Sequence, residues 1–522
     1  YATISFKNEN RGGNTMRRYS LLFVPLLCAC LFSVLPFAEA AMSDELFFEI
    51  CEKGSPSEIE AALKAGANVN ASGERGMKPL MSAAKKNGSV ESLKVLLDSG
   101  ADIHALDRGR NSVLSYAAVN SSPAVVRFFL GLGLDPNSRN REGKTPIMWA
   151  AAENTNPEPV RELIKAGADV NAASSGLGST TALLEAAANN KNPDVTKVLL
   201  KAGADVKVRN GLRLTPLMCA AMSNSNPAVV EVLLEAGADL NEKDWFRGQP
   251  ILANAAASNP NPAVLTALIK AGADVNEKGI GGATALMNAA QINRNPAVAK
   301  VLADAGADVH AVDEKGATAL MRASRYTREP EVINVLLEAG ADIHAVDKNG
   351  LTALMYAVRY NVDGGLLETL LEAGADLHGR DLDGLTVLMH AAAGSPEPNE
   401  EGRNPRILKV LLSLGIDVNA RDGNERTALM HAARENWRAS VIAELIKSGA
   451  EVNTGDKNGW TALMFAAYEN PSPFVLEQLL NSGADAKAEN REGKKAADLA
   501  AKNEKIRGTE IYERLKEASQ QD

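Results

Sequence analysis

The sequence predicts an all-α repeat solenoid, a row of stacked helix pairs with hairpin loops projecting along one edge. Three observations predict it. The pentapeptide Gly-Ala-Asp-Val-Asn or a close variant begins at Gly66, Gly100, Gly133, Gly167, Gly203, Gly237, Gly272, Gly306, Gly340, Gly374, Gly415, Gly449 and Gly483, with nearly all copies 33 to 36 residues apart. A second element trails these copies, as in Thr145-Pro146-Ile147-Met148-Trp149-Ala150-Ala151, Thr215-Pro216-Leu217-Met218-Cys219-Ala220-Ala221 and Thr461-Ala462-Leu463-Met464-Phe465-Ala466-Ala467. Aromatic residues make up only 4% of the 522 positions while Ala, Leu, Gly and Asn recur, a composition for thin layers of closely packed helices and not for one large core.

Each repeat carries its own start and stop signals. Asn156-Pro157, Asn192-Pro193, Asn226-Pro227, Asn261-Pro262, Asn295-Pro296 and Ser472-Pro473 place a capping side chain before a proline, the pairing that opens a helix. The helix so opened bears an apolar face such as Val230-Glu231-Val232-Leu233-Leu234 and stops at the Gly of Gly-Ala-Asp, where a left-handed cap needs a residue without Cβ. The turn formers that follow, as in His344-Ala345-Val346-Asp347-Lys348-Asn349-Gly350, predict a projecting hairpin, after which Thr caps the next helix.

With a Thr-Pro-Leu-x-x-Ala-Ala helix start and a Gly-Ala-Asp-Val-Asn helix exit, the chain resembles the ankyrin repeat family. The resemblance implies an N-terminal capping unit over residues 41–76, about twelve repeats over 77–493, and a C-terminal helical cap and tail over 494–522. Two departures stand out. Where the family has His in Thr-Pro-Leu-His, this chain has Met81, Met148, Met218, Met287, Met321, Met355, Met389, Met430 and Met464, so the hydrogen bond of that His is expected to be lost and replaced by apolar packing. The Asn-x-Asn-Pro turn adds about one residue to the family's period.

Ahead of the repeats, Met16, Arg17 and Arg18 precede an apolar run from Leu21 to Phe37 and then Ala38-Glu39-Ala40, the order of an export signal over residues 16–40. Residues 1–15 then form an upstream over-extension. A retained anchor, a lipoprotein built on Cys28 or Cys30, and a twin-arginine route through Arg17-Arg18 are the alternatives for this segment. Export points to a periplasmic or secreted protein of a bacterial envelope, with no membrane span once the leader is gone. Without Cys28 and Cys30 only Cys51 and Cys219 remain, far apart in sequence, so no disulfide framework is expected. The net charge is −9, or −11 without the leader's Lys7, Arg11, Arg17, Arg18, Glu9 and Glu39, which disfavours nucleic acid as a partner.

The resemblance also implies that the first helix of each pair lines a concave groove where partners bind. The residue before Ala-Ala and the one after it vary freely and share a helical face. They make Tyr116, Trp149, Arg322, Arg325, Tyr356, Arg359, His390, His431, Arg434, Phe465 and Tyr468 candidate contacts, because Trp, Tyr and Arg are common interface anchors. From Arg322 onward the groove also gathers Tyr326, Arg328, Tyr360 and Trp437, a basic and aromatic half whose charge match is an acidic protein segment or extended peptide. The competing reading has these side chains packing on neighbouring helices and pairing with local carboxylates. Trp245 and Phe246 occupy a hairpin tip and are secondary contacts, and residues 394–405 lengthen one turn into an acidic, proline-bearing loop.

Other chemistry finds little footing. His104, His310, His344 and His378 share one repeat position, but successive packed elements lie ~8–10 Å apart, too far for a shared metal. These histidines are expected to bond the hairpin base, as Asn does in other repeats. No nucleophile, base and orienting group recur at catalytic spacing, and no glycine-rich loop precedes a helix as a phosphate site requires. The expectation is therefore a monomeric, non-catalytic protein without cofactor or metal that binds another protein or peptide. A structural spacer in the envelope and a secreted effector that binds a host protein are the alternatives.

Overall fold

The computed structural model describes residues 42–520 apart from 177, 245–247, 328, 362–363 and 395–404. The leader, Trp245, Phe246, Arg328 and nearly all of the 394–405 loop therefore lie outside the described residues. Helices Asp44–Lys53 and Pro56–Lys64 open the stack, twelve helix pairs follow from Pro79–Lys86 to Pro473–Asn481, and Ala496–Ala500 with Glu510–Gln520 ends it. The hairpins contribute three isolated β-bridges and no strand among the described residues. Hairpin joins hairpin through single backbone bonds, such as Lys348 N–H to Lys315 O at 3.0 Å and Leu382 N–H to Asn349 O at 3.0 Å.

A typical pair is Pro216–Ser223, the inner helix, and Pro227–Glu235, the outer one. Helices this short do not persist alone in water, so their ends must be well capped and their faces buried. Thr215 Oγ1 accepts from Met218 N at 3.4 Å, and Asn226 Oδ1 accepts from Ala228 N at 3.0 Å one residue beyond Pro227. Gly237 ends the outer helix at φ 87° with open space around its missing Cβ, so it is the backbone angle that demands glycine there. Gly350 answers a different need, since a Cβ would approach Leu382 N of the next hairpin to 2.7 Å.

The expected loss of a hydrogen bond at the methionines is corrected in four repeats. The thioether sulfur takes the place of the imidazole as a weak acceptor, receiving the N-cap N–H of Lys78, Thr284, Thr318 and Thr386 at Met81, Met287, Met321 and Met389 over 3.4 to 3.5 Å. All nine methionines are buried in the core.

Helices touch within a pair and between neighbouring pairs, so the core is a chain of layers in series. Leu217, Met218, Ala220 and Ala221 of the inner helix and Val229, Val230 and Leu233 of the outer one are all buried in a representative layer. Small Ala pairs let successive inner helices approach closely. That approach buries the carbonyls at the inner-helix C-termini, and an asparagine ladder satisfies them. Asn224 Nδ2 donates to Ala187 O at 3.0 Å and to Asn190 O at 2.8 Å, Asn259 repeats this on Ala221 and Asn224, and Asn293 on Ala256 and Asn259. The ladder runs from Asn87 to Asn503. Thr327 replaces Asn in one rung and Gly394 in another; Asn361 and Asn436 resume it.

Two substitutions test the ladder. Asn224→Ala strands two buried carbonyls and is expected to cost about 3 kcal/mol. Thr327→Asn fills a missing rung while keeping the bond to Glu329 N that Thr327 Oγ1 now accepts at 3.1 Å, and is expected to stabilise by about 1 kcal/mol. Urea midpoints of the two variants moving in the same direction would contradict this account.

Candidate partner-binding groove

In about half of the repeats the groove wall is organised by an aspartate that opens the hairpin. One carboxylate oxygen holds the hairpin turn: Asp347 Oδ1 accepts from Asn349 N at 2.8 Å and Leu351 N at 2.9 Å. The other reaches the inner helix, where the residue nine positions on donates to it. Tyr116 Oη meets Asp107 at 2.7 Å, Tyr356 Oη meets Asp347 at 2.9 Å, His390 Nε2 meets Asp381 at 2.9 Å, His431 Nε2 meets Asp422 at 2.8 Å, and Arg322 meets Asp313 through Nη2 at 2.7 Å and Nε at 3.1 Å. Where the hairpin carries Asn140 instead, its Oδ1 serves the turn and its Nδ2 is a donor, bonded to Asn111. The Trp149 indole N–H nine residues on accordingly finds no acceptor. Asp456 turns its free oxygen to Arg426 Nε at 3.2 Å, and that guanidinium lies over the Phe465 ring at 4.9 Å.

This arrangement divides the candidate contacts. Tyr356, His390, His431 and Phe465 are buried in the wall as struts, and Tyr116 is half-buried with its hydroxyl engaged. Trp149 is half-buried with Lys144 Nζ 5.7 Å from its ring centroid, and Lys144 also pairs with Glu185 at 2.8 Å. Arg322 bridges Asp313 and Gln291 Oε1, the latter at 3.0 Å. Arg359 Nη1 lies 3.2 Å from His390 Nδ1 and Nη2 lies 3.6 Å from Glu435. A guanidinium only donates, so His390 Nδ1 accepts and its proton sits on Nε2, facing Asp381. Arg434 pairs with Glu469 at 2.7 Å, which raises its pKa. Tyr468 stays exposed, edge-on to Trp460 at 5.6 Å.

Around Arg325 the pieces converge. Its guanidinium lies 4.8 Å from the Tyr326 ring centroid and 4.1 Å from that of Tyr360. Beside it opens a recess of about 270 Å³ lined by Gln291, Asp313, Arg322, Arg325, Tyr326 and Tyr356 among others. The hairpin aspartates are functional residues that the residue pattern of the groove alone did not reveal. Their signal is legible in retrospect as an Asp nine residues before a Tyr, His or Arg.

Electrostatically the struts are anionic acceptors facing donors. Burial pushes the carboxyls of Asp313, Asp381 and Asp422 up, but the bonds from Arg322, His390 and His431 and from the hairpin amides outweigh it, and all three lie below the ordinary 3.8. A depressed folded-state value means that their stabilisation is complete above that ordinary value and is lost as pH falls through the lower one. Burial, then the Asp347 bond, pushes the Tyr356 phenol above its usual range. The four histidines at the hairpin base correct another expectation. Asn137 and Asn171 bridge to the next repeat, through Nδ2 to Gly167 O and Gly203 O and through Oδ1 to Asp169 N and Asp205 N. The exposed imidazoles of His104, His310, His344 and His378 make no such bridge among the described residues, because the ring cannot accept and donate side by side as an amide does.

Asp347→Asn separates the two tasks of the carboxylate, because Asn preserves the hairpin bonds as Asn140 does. It is expected to cost about 1 kcal/mol in urea. It should also let Tyr356 ionise at lower pH, as seen by ultraviolet difference titration against Tyr356→Phe. An unchanged titration would show that the strut does not exist.

Comparison with known proteins agrees with this architecture. The profile for ankyrin repeats (3 copies) matches residues 80–174, 114–210, 147–244, 252–347, 329–422, 399–490 and 429–517. The chain is 35% identical over 115 residues to the Notamacropus eugenii "Ankyrin repeat, SAM and basic leucine zipper domain-containing protein 1", covering 21% of this chain and 24% of that one. It is 29% identical over 147 residues to human "Ankyrin repeat and SOCS box protein 6", covering 27% and 34%. It thus spans about a quarter to a third of the length of these relatives. The human ASB11 ankyrin repeat domain aligns with a TM-score of 0.37 at 25% identity, over 44% of this chain and 98% of that one. With the profile matching nearly the whole stack and the helix pairs, hairpins and glycine stops in place, the chain belongs to the ankyrin repeat family.

Proposed function

We propose that the chain is a non-catalytic binding protein that grips an exposed or extended segment of another protein in the groove between Gln291 and Tyr360. Ankyrin repeats in general mediate protein–protein interaction, and the observation that carries the finer reading is the recess at Arg325, walled by Arg322 and Tyr356 and rimmed by the exposed Tyr326. Aromatic and guanidinium groups beside a concavity are the anchors that dominate interface energies. Arg322, Arg359 and Arg434 already face Asp313, Glu435 and Glu469, so this groove selects by shape and aromatic contact more than by net positive charge. An acidic segment of the partner remains the charge match for what the carboxylates leave exposed.

We further propose that the protein acts as a monomer after export, in the periplasm or outside the cell. The leader pattern at 16–40 supports this. Cys51 and Cys219 are buried fillers whose thiols are pushed up to about 12 by burial, with Glu52 and Glu185 adding to it. No helix among the described residues is long and apolar enough to cross a membrane.

Two measurements check these readings. Immobilised chain should capture a partner from fractionated source cells, and a combined Arg325→Glu and Tyr326→Ala change should reduce the capture at least about tenfold, the scale of a lost anchor. Phe474→Ala on the outer face serves as a control. A partner held equally by all three proteins would place recognition elsewhere. For export, a reporter fused behind residue 40 should leave the cytoplasm only with Arg17, Arg18 and the Leu21–Phe37 run intact; cytoplasmic retention of the intact fusion would refute it.

A further inference from the structure

We propose that the hairpin edge of the N-terminal half docks on an anionic lipid surface, with Arg75, Arg108, Arg110 and Arg141 on headgroup phosphates and Leu212 and Ile280 at the acyl boundary. These hairpins precede the Gln291–Tyr360 groove in the chain, and the assignment stands apart from what that groove binds.

Backbone strain marks the site. Three positions after the Asp or Asn that opens a hairpin stand Gly143, Gly316, Gly350, Gly384, Gly459 and Gly493, all at positive φ. In the second hairpin that residue is Arg110 at φ 63°, and in the first hairpin Arg75 lies at φ 54°. A residue with Cβ is sterically disfavoured there and persists where something else requires its side chain. Glu425, at the same position with φ 62°, has such a reason inside the fold, since it pairs with Arg421 at 3.2 Å. Arg75 and Arg110 have none. With Arg108 and Arg141 they are exposed, and no guanidinium of the four makes a hydrogen bond or ion pair among the described residues. Arginines nearer the hairpin base are employed within the stack: Arg139 Nη1 donates to Ala173 O at 2.6 Å, and Arg209 pairs with Glu242 at 2.7 Å.

Backbone bonds lace these tips into one row: Arg108 N–H to Arg75 O at 2.9 Å, Arg141 N–H to Gly109 O at 2.8 Å, Ser175 N–H to Glu142 O at 2.7 Å and Gly211 N–H to Ser179 O at 3.0 Å. On the first three tips the four arginines face two exposed glutamates, Glu74 and Glu142. From Glu314 onward, Lys315, Lys348, Lys457 and Arg491 are balanced by Glu314, Asp383, Glu425 and Glu492, so the positive excess lies at the start of the row. Beside Gly211 the row ends on Leu212, 69% exposed, and two hairpins further Ile280 is 62% exposed between glycines. Leu382 is a third apolar tip, at 78%, but the Asp383 carboxylate beside it repels an anionic surface. The combination selects the occupant. Guanidinium groups bind phosphate bidentately, and headgroups in a fluid layer move to meet each of them. Leu212 and Ile280 stand singly on separate tips, which offers a folded partner no contiguous apolar core, whereas a bilayer interface accepts such side chains one at a time. An acidic polypeptide would serve the arginines and leave both aliphatic tips in water. Because the chain carries a net charge of −9, the remaining surface is repelled by the same bilayer and the row fixes the orientation of approach.

The test is sedimentation of the intact chain with vesicles of mixed phosphatidylcholine and phosphatidylglycerol, and with vesicles of phosphatidylcholine alone. Each variant is compared with its parent on the same vesicles, so the residues ahead of the repeats act equally in both. Partition is expected on the mixed vesicles and at least about tenfold less on the neutral ones. Arg110→Gly installs the residue that most other hairpins carry there, and should weaken partition about fivefold without lowering the urea midpoint, an outcome no structural role for Arg110 would give. Joint Leu212→Ser and Ile280→Ser should weaken it about tenfold, and Lys457→Ala on a late tip should leave it unchanged. Inorganic phosphate at matched ionic strength should not displace the chain. Equal partition on both kinds of vesicle, indifference to Arg110→Gly, or displacement by phosphate overturns the proposal. Binding that survives the serine pair and passes equally to immobilised polyglutamate assigns the edge to an acidic protein instead, and overturns it as well.

Discussion

Every layer of this molecule depends on the need to satisfy backbone carbonyls that the close approach of small helices buries. Alanine pairs bring the inner helices together, and dry carbonyls at their C-termini then need donors that water cannot supply. The asparagine ladder meets that need across the layer boundary: Asn190 donates to Ala151 O and Asn154 O, and Asn224 in turn to Asn190 O. Each rung is thus both a cap for its neighbour and a step for the next. A layer without a neighbour would leave these groups unmet, which is one reason why the repeats stabilise one another in series.

The groove applies the same economy to side chains. An aspartate has two oxygens, and the hairpin consumes one. The second commonly holds a tyrosine, histidine or arginine of the inner helix, as at Asp347, Asp381 and Asp313, while Asp456 turns it to Arg426 of the preceding hairpin; where Asn140 stands instead, a donor replaces it and Trp149 is left on its own. Much of the chemical variety along the concave wall is therefore internal architecture, with His390 and His431 as buried as the leucines beside them. The surface left for a partner is narrower and lies mostly at the ends of the inner helices, where Tyr326, Tyr360 and Tyr468 project. Rigid struts behind a small reading surface are what preorganised recognition calls for.

The seam at Thr327 deserves comparison with its surroundings. There the ladder skips a rung, and on the same helix Arg325, stacked on Tyr326, reaches over to the Tyr360 ring of the next repeat. Cross-repeat stacking on the groove side stands where the asparagine bridge is missing on the turn side. Cohesion between layers and the character of the binding surface are thus shared among the same few residues.

Periodicity alone determined a good deal: helix pairs, glycine stops, Asn-Pro starts and hairpins follow from spacing, because a repeated local signal specifies a repeated local structure. Candidate groove positions were legible for the same reason, as variable sites in a constant frame. What the tertiary structure decided was which of them are occupied. Tyr356 and Tyr360 differ by one helical turn and read alike as letters, yet one hydroxyl is tied to Asp347 and the other has no hydrogen bond among the described residues. Whether Asn224 faces water or two carbonyls, and whether a methionine sulfur meets an N–H, likewise depends on atoms some thirty residues away or on the packing of a turn. Such pairings arise only when layers stack, since the partner of each group is set by distance in space.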